Sequence, residues 1–287
     1  MKFGIQVKVI ILFSFIIASI DSRKSKRTHT KAITPSTIFT SQNLDILNLV
    51  QGLSYSKYNN MQMLHHPDGE FIFKKDSSKH VDVGTYAFVY GISNVDKELF
   101  IVSFRGSINF CNFKTDFEAE PVADQCENCM VHSGFSKAFN EIKQKVDEEV
   151  DPLLKKYAND GTIKRVIITG HSLGAVLSVL YTNHVMKKYK IAGAPLIEVG
   201  NKLDFYNINF GLPRIGDVNF KNHMNSYVTN GQLKRLLRIT FGQDIFTFIP
   251  SGFGDNHQYL HPGTEIHFEY KNIIFGNEII FEVSQNF

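Results

Sequence analysis

The stretch "RVIITGHSLGAVLSVL", Arg165 to Leu180, constrains the fold more than any other part of the chain. It begins as a run of β-branched apolar residues, the pattern of a strand buried on both faces. It then passes through Gly170-His171-Ser172-Leu173-Gly174 and continues in a helix-like pattern. These residues fit G-x-S-x-G, in which a serine occupies a sharp strand-to-helix turn. Glycines on both sides relieve crowding between the strand and the helix. The turn lifts the Ser172 hydroxyl clear of the sheet. It also aims the Leu173 N–H into the same space, beside a helix N-terminus that favours negative charge. A serine serving only as a helix cap would need no glycine on either side.

The rest of the chain supplies the elements such a turn needs. "TYAFVYGISN" and "ELFIVSFRG" are strand-like runs joined by a turn with Asn94 and Asp96, and they predict a hairpin. "FSKAFNEIKQKVDEEVDPLLKKYAND" predicts a long amphipathic helix, bent near Pro152. "LGAVLSVLYTNHVMKKY" predicts a helix whose closing lysines suit its negative pole. "LDFYNINFG", "KRLLRITFG", "TEIHFEY" and "IIFGNEIIFEVS" read as further strands, and Leu44 to Tyr58 as an early helix behind Ser41. Alternating strands and helices indicate an α/β domain with a central, largely parallel sheet, made mixed by antiparallel pairing at its ends.

The chain has 287 residues, 31 basic and 28 acidic, for a net charge of +3. That balance, without a basic stripe or a recognition helix, argues against a nucleic-acid partner. Residues 1–21 read as a secretory signal peptide: Lys2 and Lys8 edge the apolar run Val9 to Ile20, and Ala18 and Ser19 stand near its end. The remainder, 22–287, reads as one domain. Secretion permits disulfides, and all three cysteines, Cys111, Cys126 and Cys129, fall in one short stretch. The expectation is a loop staple from Cys111 to one of the later two. "CENC" lacks both the βαβ context of a redox motif and the further ligands of a zinc site.

A serine hydroxyl needs a general base, usually histidine, itself oriented by a carboxylate. Both follow the serine in the chain order that G-x-S-x-G implies. The histidines after it are His184, His223, His257, His261 and His267. His184 lies more than three turns along the helix that starts at Ser172 and cannot reach back, and His267 falls in an alternating strand. His257 and His261 sit in a polar loop, "GDNHQYLHPGTE", where reactive residues are often carried. The acids are Asp204, Asp217 and Asp244. Asp244 directly follows a strand, so it is placed at the carboxyl edge of the sheet, where ligands bind in open α/β folds. The residues by themselves leave His257 and His261 open.

Several segments resemble the class 3, or fungal-type, lipases of the α/β-hydrolase fold, over roughly residues 80 to 270. "VSFRGS" resembles the family's oxyanion strand and loop, "VHSGF" the start of the helix after its lid, and "ITGHSLGA" its nucleophile turn. "FGLPRIGD", "QDIFTFIP" and "YLHPGTEIHF" resemble F-G-x-P-R-x-G-[ND], D-x-V-x-x-[LI]-P and Y-x-H-x-x-x-E. The pieces fall in the family's order. The resemblance implies Ser172 as nucleophile, Asp244 as acid and His261 rather than His257 as base. It also implies an oxyanion hole from Ser107 and the Leu173 N–H. Arg105 and His132 match positions read as structural supports. The stretch between Ser107 and His132 matches the lid, with Phe110, Phe113 and Phe117 sharing a face at helical spacing. The chain departs from the family in the short interval between Asp244 and His261, and in Phe246 where valine is usual.

What the resemblance implies is a secreted or lysosome-like lumenal ester hydrolase. It would cleave triacylglycerol through an acyl-enzyme, meet its lipid substrate at an interface and touch a membrane or lipid-droplet surface transiently. Phospholipase A1 or galactolipase activity on the same scaffold is the near alternative, and a catalytically silent lipid-binding protein the distant one. This chemistry requires no metal or organic cofactor.

Overall fold

The computed structural model describes residues 73, 77–106, 120–241, 244–250, 258–273 and 276–284. The signal segment, the early helix, the lid phenylalanines, Ser107, Cys111 and His257 all lie outside these residues.

An eight-stranded sheet runs in the order β1 (Lys79–Val83), β2 (Tyr86–Ile92), β3 (Leu99–Phe104), β6 (Arg165–His171), β7 (Asp204–Phe210), β8 (Arg235–Phe241), β9 (Thr264–Ile273), β10 (Gly276–Ser284). The strands from β3 to β9 pair in parallel. β1, β2 and β3 pair antiparallel, as do β9 and β10. The sheet is therefore mixed but mostly parallel, and the expected hairpin is β2–β3.

Helix α1 (Ser133–Asp160) spans 28 residues and continues through Pro152. It buries Phe139, Ile142, Val146, Val150 and Leu154 and ends on Gly161 in the left-handed conformation, which a residue without Cβ adopts at no steric cost. Helix α2 (Leu173–Tyr189) follows the serine. Its inner and outer positions alike, from Val176 and Leu180 to Asn183 and Met186, are buried. It is therefore a central helix enclosed by its neighbours rather than a surface one. The main core joins α1 and α2 to Phe88, Phe100, Phe104, Ile168 and Phe205 of the sheet. The opposite face carries a smaller cluster, including Ile101, Ile167, Phe210 and Ile239.

Some elements were not anticipated. A five-residue helix α3 (Ile197–Asn201) precedes β7. Helix α4 (Val218–Thr229) is N-capped by Asp217, whose carboxylate accepts the Phe220 N–H at 2.9 Å. A short hairpin pairs β4 (Pro121–Ala123) with β5 (Met130–His132).

The β4–β5 turn corrects the expected staple. Cys126 is bonded to Cys129, with Cα atoms 5.2 Å apart, inside the range a disulfide bridges without backbone movement. The tight turn, with Gln125 and Asn128 both at positive φ, brings the two thiols together locally. The same turn is docked on its surroundings. Asn183 donates to the Gln125 carbonyl at 2.7 Å, and Asn219 to that of Asn128 at 2.9 Å. The Ser136 hydroxyl donates to Asp124 and Lys187 to Gln125.

Candidate active site

The site is built around the end of β6. Ser172 has φ 55° and ψ −123°, a conformation that side-chain-bearing residues rarely adopt and that costs roughly 1–3 kcal/mol. The surrounding packing enforces it. A Cβ on Gly170 would collide with the Gly174 carbonyl, and a Cβ on Gly174 with the Phe104 carbonyl at the end of β3. The flanking glycines thus let the strand, the first turn of α2 and the neighbouring strand close onto one point. The Ser172 N–H donates to Phe210 O at 3.1 Å, tying the turn to the end of β7.

Ser172 is buried, and its Oγ has no hydrogen-bond partner among the described residues. Leu173 opens α2, so its N–H is among those without an intrahelical acceptor. β3 ends beside this turn, and Arg105 is fixed there by donating to Thr85 O at 2.6 Å. The segment that leads to Ser107 thus departs from the serine's immediate surroundings.

The three candidate acids separate by position. Asp204 lies at the start of β7, at the opposite edge of the sheet, 3.3 Å from Lys234. Asp217 is occupied as the α4 cap. Asp244 follows β8, and its Oδ2 lies 3.1 Å from where a Cβ on Gly211 would stand. Gly211, at φ +55°, is the residue after Phe210, the partner of the Ser172 N–H. The Asp244 carboxylate therefore sits at the carboxyl edge of the strand next to the serine. His171 Nε2 approaches the same point to 3.3 Å, and burial pushes this ring's pKa down to about 3, so it is neutral.

Three of the histidines after the serine have partners of their own. His184 is 2.7 Å from Asp147 of α1, His223 3.0 Å from Asn183, and His267 2.8 Å from Thr240. Among the described residues no hydrogen bond joins Ser172 Oγ to His261. Its Nε2–H donates to the Leu212 carbonyl at 3.0 Å, and a second bond joins the ring to the main chain of Thr247. Burial pushes its pKa well below the usual histidine range, and the nearby Arg238 and Arg214 guanidiniums push it the same way. A ring nitrogen already donating to a carbonyl cannot take a proton at that atom. With Nε2 committed to Leu212 O, the base role that the resemblance implies for His261 has no hydrogen bond to Ser172 Oγ behind it here. His132 is buried between Phe135 and Tyr259, with ring centroids at 4.4 and 5.6 Å, as a structural support would be.

Reading the sequence also missed how the loops around Asp244 are joined. Thr247 donates to the Asp244 carbonyl through both N–H, at 3.2 Å, and Oγ1, at 2.7 Å. A threonine three residues after an aspartate is a local turn signal that was there to be read. Arg214 N–H reaches Ile249 O at 3.1 Å, Ile215 N–H reaches Leu260 O at 3.1 Å, and Leu260 N–H reaches Gly216 O at 2.7 Å.

A parallel sheet with a strained serine at the strand-to-helix turn and a carboxylate at the next strand edge is an α/β-hydrolase arrangement. Residues 101–253 match the family described as lipase (class 3), and the chain belongs to that family. It is 28% identical over 153 residues to a secreted mono- and diacylglycerol lipase, LIP4, of Malassezia restricta, covering 50% of this chain and 44% of that one. It is 30% identical over 133 residues to the chloroplastic phospholipase A(1) DAD1 of Arabidopsis thaliana, covering 45% and 26%. The chain therefore spans less than half the length of these relatives. The Rhizomucor miehei lipase propeptide complex superposes with a TM-score of 0.60 at 21% identity, over 86% of this chain and 74% of that one, and shares the fold.

Proposed function

We propose that this chain is a serine ester hydrolase that cleaves acyl esters of lipids. One observation carries the reading: Ser172 is held at φ 55° on the strand-to-helix turn with its hydroxyl uncommitted among the described residues. Backbone strain of this kind persists where the surrounding packing enforces it, and it clusters at reacting groups.

In the proposed reaction Ser172 Oγ attacks the ester carbonyl and gives its proton to an imidazole that Asp244 orients and whose positive charge Asp244 offsets. The Leu173 N–H and Ser107 stabilise the tetrahedral oxyanion. Losing one such donor typically costs about 3 kcal/mol, or a hundredfold or more in rate. Water then repeats the attack on the acyl-enzyme. Phe110, Phe113 and Phe117 are proposed to line a lid that exposes an apolar face at a lipid surface. Triacylglycerol is the first substrate class and phospholipid the second. A relative named as a secreted mono- and diacylglycerol lipase supports an acylglycerol substrate and favours secretion over a lysosome-like lumen, and one named as a phospholipase A(1) supports the second class.

The test compares wild type with Ser172→Ala on emulsified triglyceride and on phosphatidylcholine vesicles. The reading expects hydrolysis of at least one by wild type and at least a thousandfold loss in the variant. Equal turnover by the two proteins sinks it. A second reading, a catalytically silent lipid-binding protein, is favoured by one observation: no imidazole is hydrogen-bonded to Ser172 among the described residues. It expects no hydrolysis of either lipid, and undiminished lipid binding by Ser172→Ala.

A further inference from the structure

We propose that His261 is a positioning residue, a clamp that fixes the carboxylate of Asp244 by joining the two loops on either side of it. The inference rests on the reading of Ser172 and Asp244 as members of one reacting site. On one side the His261 Nε2–H holds Leu212 O at 3.0 Å. Leu212 directly follows Gly211, and Asp244 Oδ2 lies 3.1 Å from where a Cβ on Gly211 would stand. On the other side the ring bonds the main chain of Thr247. Thr247 in turn grips the Asp244 carbonyl through its N–H and its hydroxyl. One path from Gly211 to Asp244 thus runs through this imidazole, beside the bond that the Gly211 N–H makes to Ile239 O of β8 at 2.9 Å.

The main-chain bonds explain why this link matters. Arg214 to Ile249, Ile215 to Leu260 and Leu260 to Gly216 stitch the loop after β7, the turn after β8 and the loop before β9. They lie further along these loops than Gly211 and Asp244. Nearer the carboxylate, the His261 side chain joins Leu212 to Thr247, alongside the Gly211 N–H bond to Ile239 O. Without that side chain, Leu212 and Thr247 lose their shared partner, and the turn that carries Asp244 is held less tightly to the loop after β7. A reacting carboxylate has to be held within about half an ångström of its working position.

The experiment uses the full chain and reads two quantities. The first is the rate at which a fluorophosphonate labels Ser172 in wild type, His261→Ala, His261→Gln, Asp244→Asn and the Asp244→Asn/His261→Ala double variant. The clamp predicts a slowing of roughly tenfold to a hundredfold in His261→Ala. His261→Gln, whose amide donates to the Leu212 carbonyl, is expected to recover to within about fivefold of wild type. The Ala change is expected to add less than about threefold in the Asp244→Asn background, because two residues acting through one group are not additive. Labelling of His261→Gln slower than wild type by a thousandfold, or full additivity in the double variant, overturns the proposal. The second quantity is amide hydrogen exchange, which needs no activity. His261→Ala is expected to speed exchange at Arg214 and Thr247 about tenfold or more and to leave Ile168 in β6 unchanged. Unchanged exchange at both loops overturns the clamp. Absence of labelling in wild type tells against the hydrolase reading instead, and exchange still decides the clamp.

Discussion

At the scale of single residues, the site depends on side chains that are missing as much as on those present. Gly170 and Gly174 are positions where any Cβ meets a main-chain carbonyl, which has no flexible end to yield. Gly170→Ala and Gly174→Ala are each expected to destabilise the fold by about 3 kcal/mol or more, seen as a lowered urea midpoint with unchanged slope. A loss under about 1 kcal/mol would contradict the close approach of β3, β6 and α2. Ser172→Ala, by contrast, removes one buried hydroxyl that has no partner among the described residues and adds no bulk. Its unfolding midpoint is expected to stay within about 1 kcal/mol of wild type, so loss of activity in this variant reads chemistry and not folding.

At the scale of elements, α1 and α2 are joined by a polar seam inside an apolar interface. Burial alone would raise the pKa of Asp147, but His184 and Lys188 outweigh it, so the folded value lies below the ordinary carboxylate range. A carboxylate with a depressed folded pKa contributes stability that is complete above its unfolded value, near 4, and lost as pH falls through the folded value. Asp147→Asn is therefore expected to cost about 1–3 kcal/mol at neutral pH. Its difference from wild type should shrink as denaturation is measured from pH 5 downwards, and a difference that grows there would contradict the pairing. The β4–β5 turn makes a separate prediction. Closing so short a loop with a disulfide stabilises by about 2 kcal/mol in the chain-entropy account. Cys126→Ser/Cys129→Ser is expected to lose about that much in urea unfolding, and a null effect would contradict the bond.

Elements marked by apolar runs or apolar spacing between turn signals were legible in the sequence: β2, β3, β6, β7, β8, α1 and α2 lie where those runs place them. α4 was missed because its burial rests on Phe220, Met224 and Tyr227, too sparse a stripe to stand out within twelve residues. The disulfide was misread because spacing alone does not reveal a turn with two residues at positive φ. The strand-to-helix serine and the place of Asp244 followed from local chemistry. The surroundings of His261 did not, because its partners, Leu212 and Thr247, act through main-chain atoms of distant loops. No side-chain pattern encodes such contacts.

At the scale of the whole molecule, the account comes down to whether the strained serine is chemically reactive. The parallel sheet, the central helix behind it and the carboxylate at the next strand edge all converge on Ser172. The most direct measurement is reaction of the purified full chain with a fluorophosphonate, followed by peptide mapping. The account predicts one adduct per chain, on Ser172, absent from Ser172→Ala and slowed by at least a hundredfold in Asp244→Asn. No adduct on folded wild-type protein, or an adduct on some other serine that persists in Ser172→Ala, would contradict it.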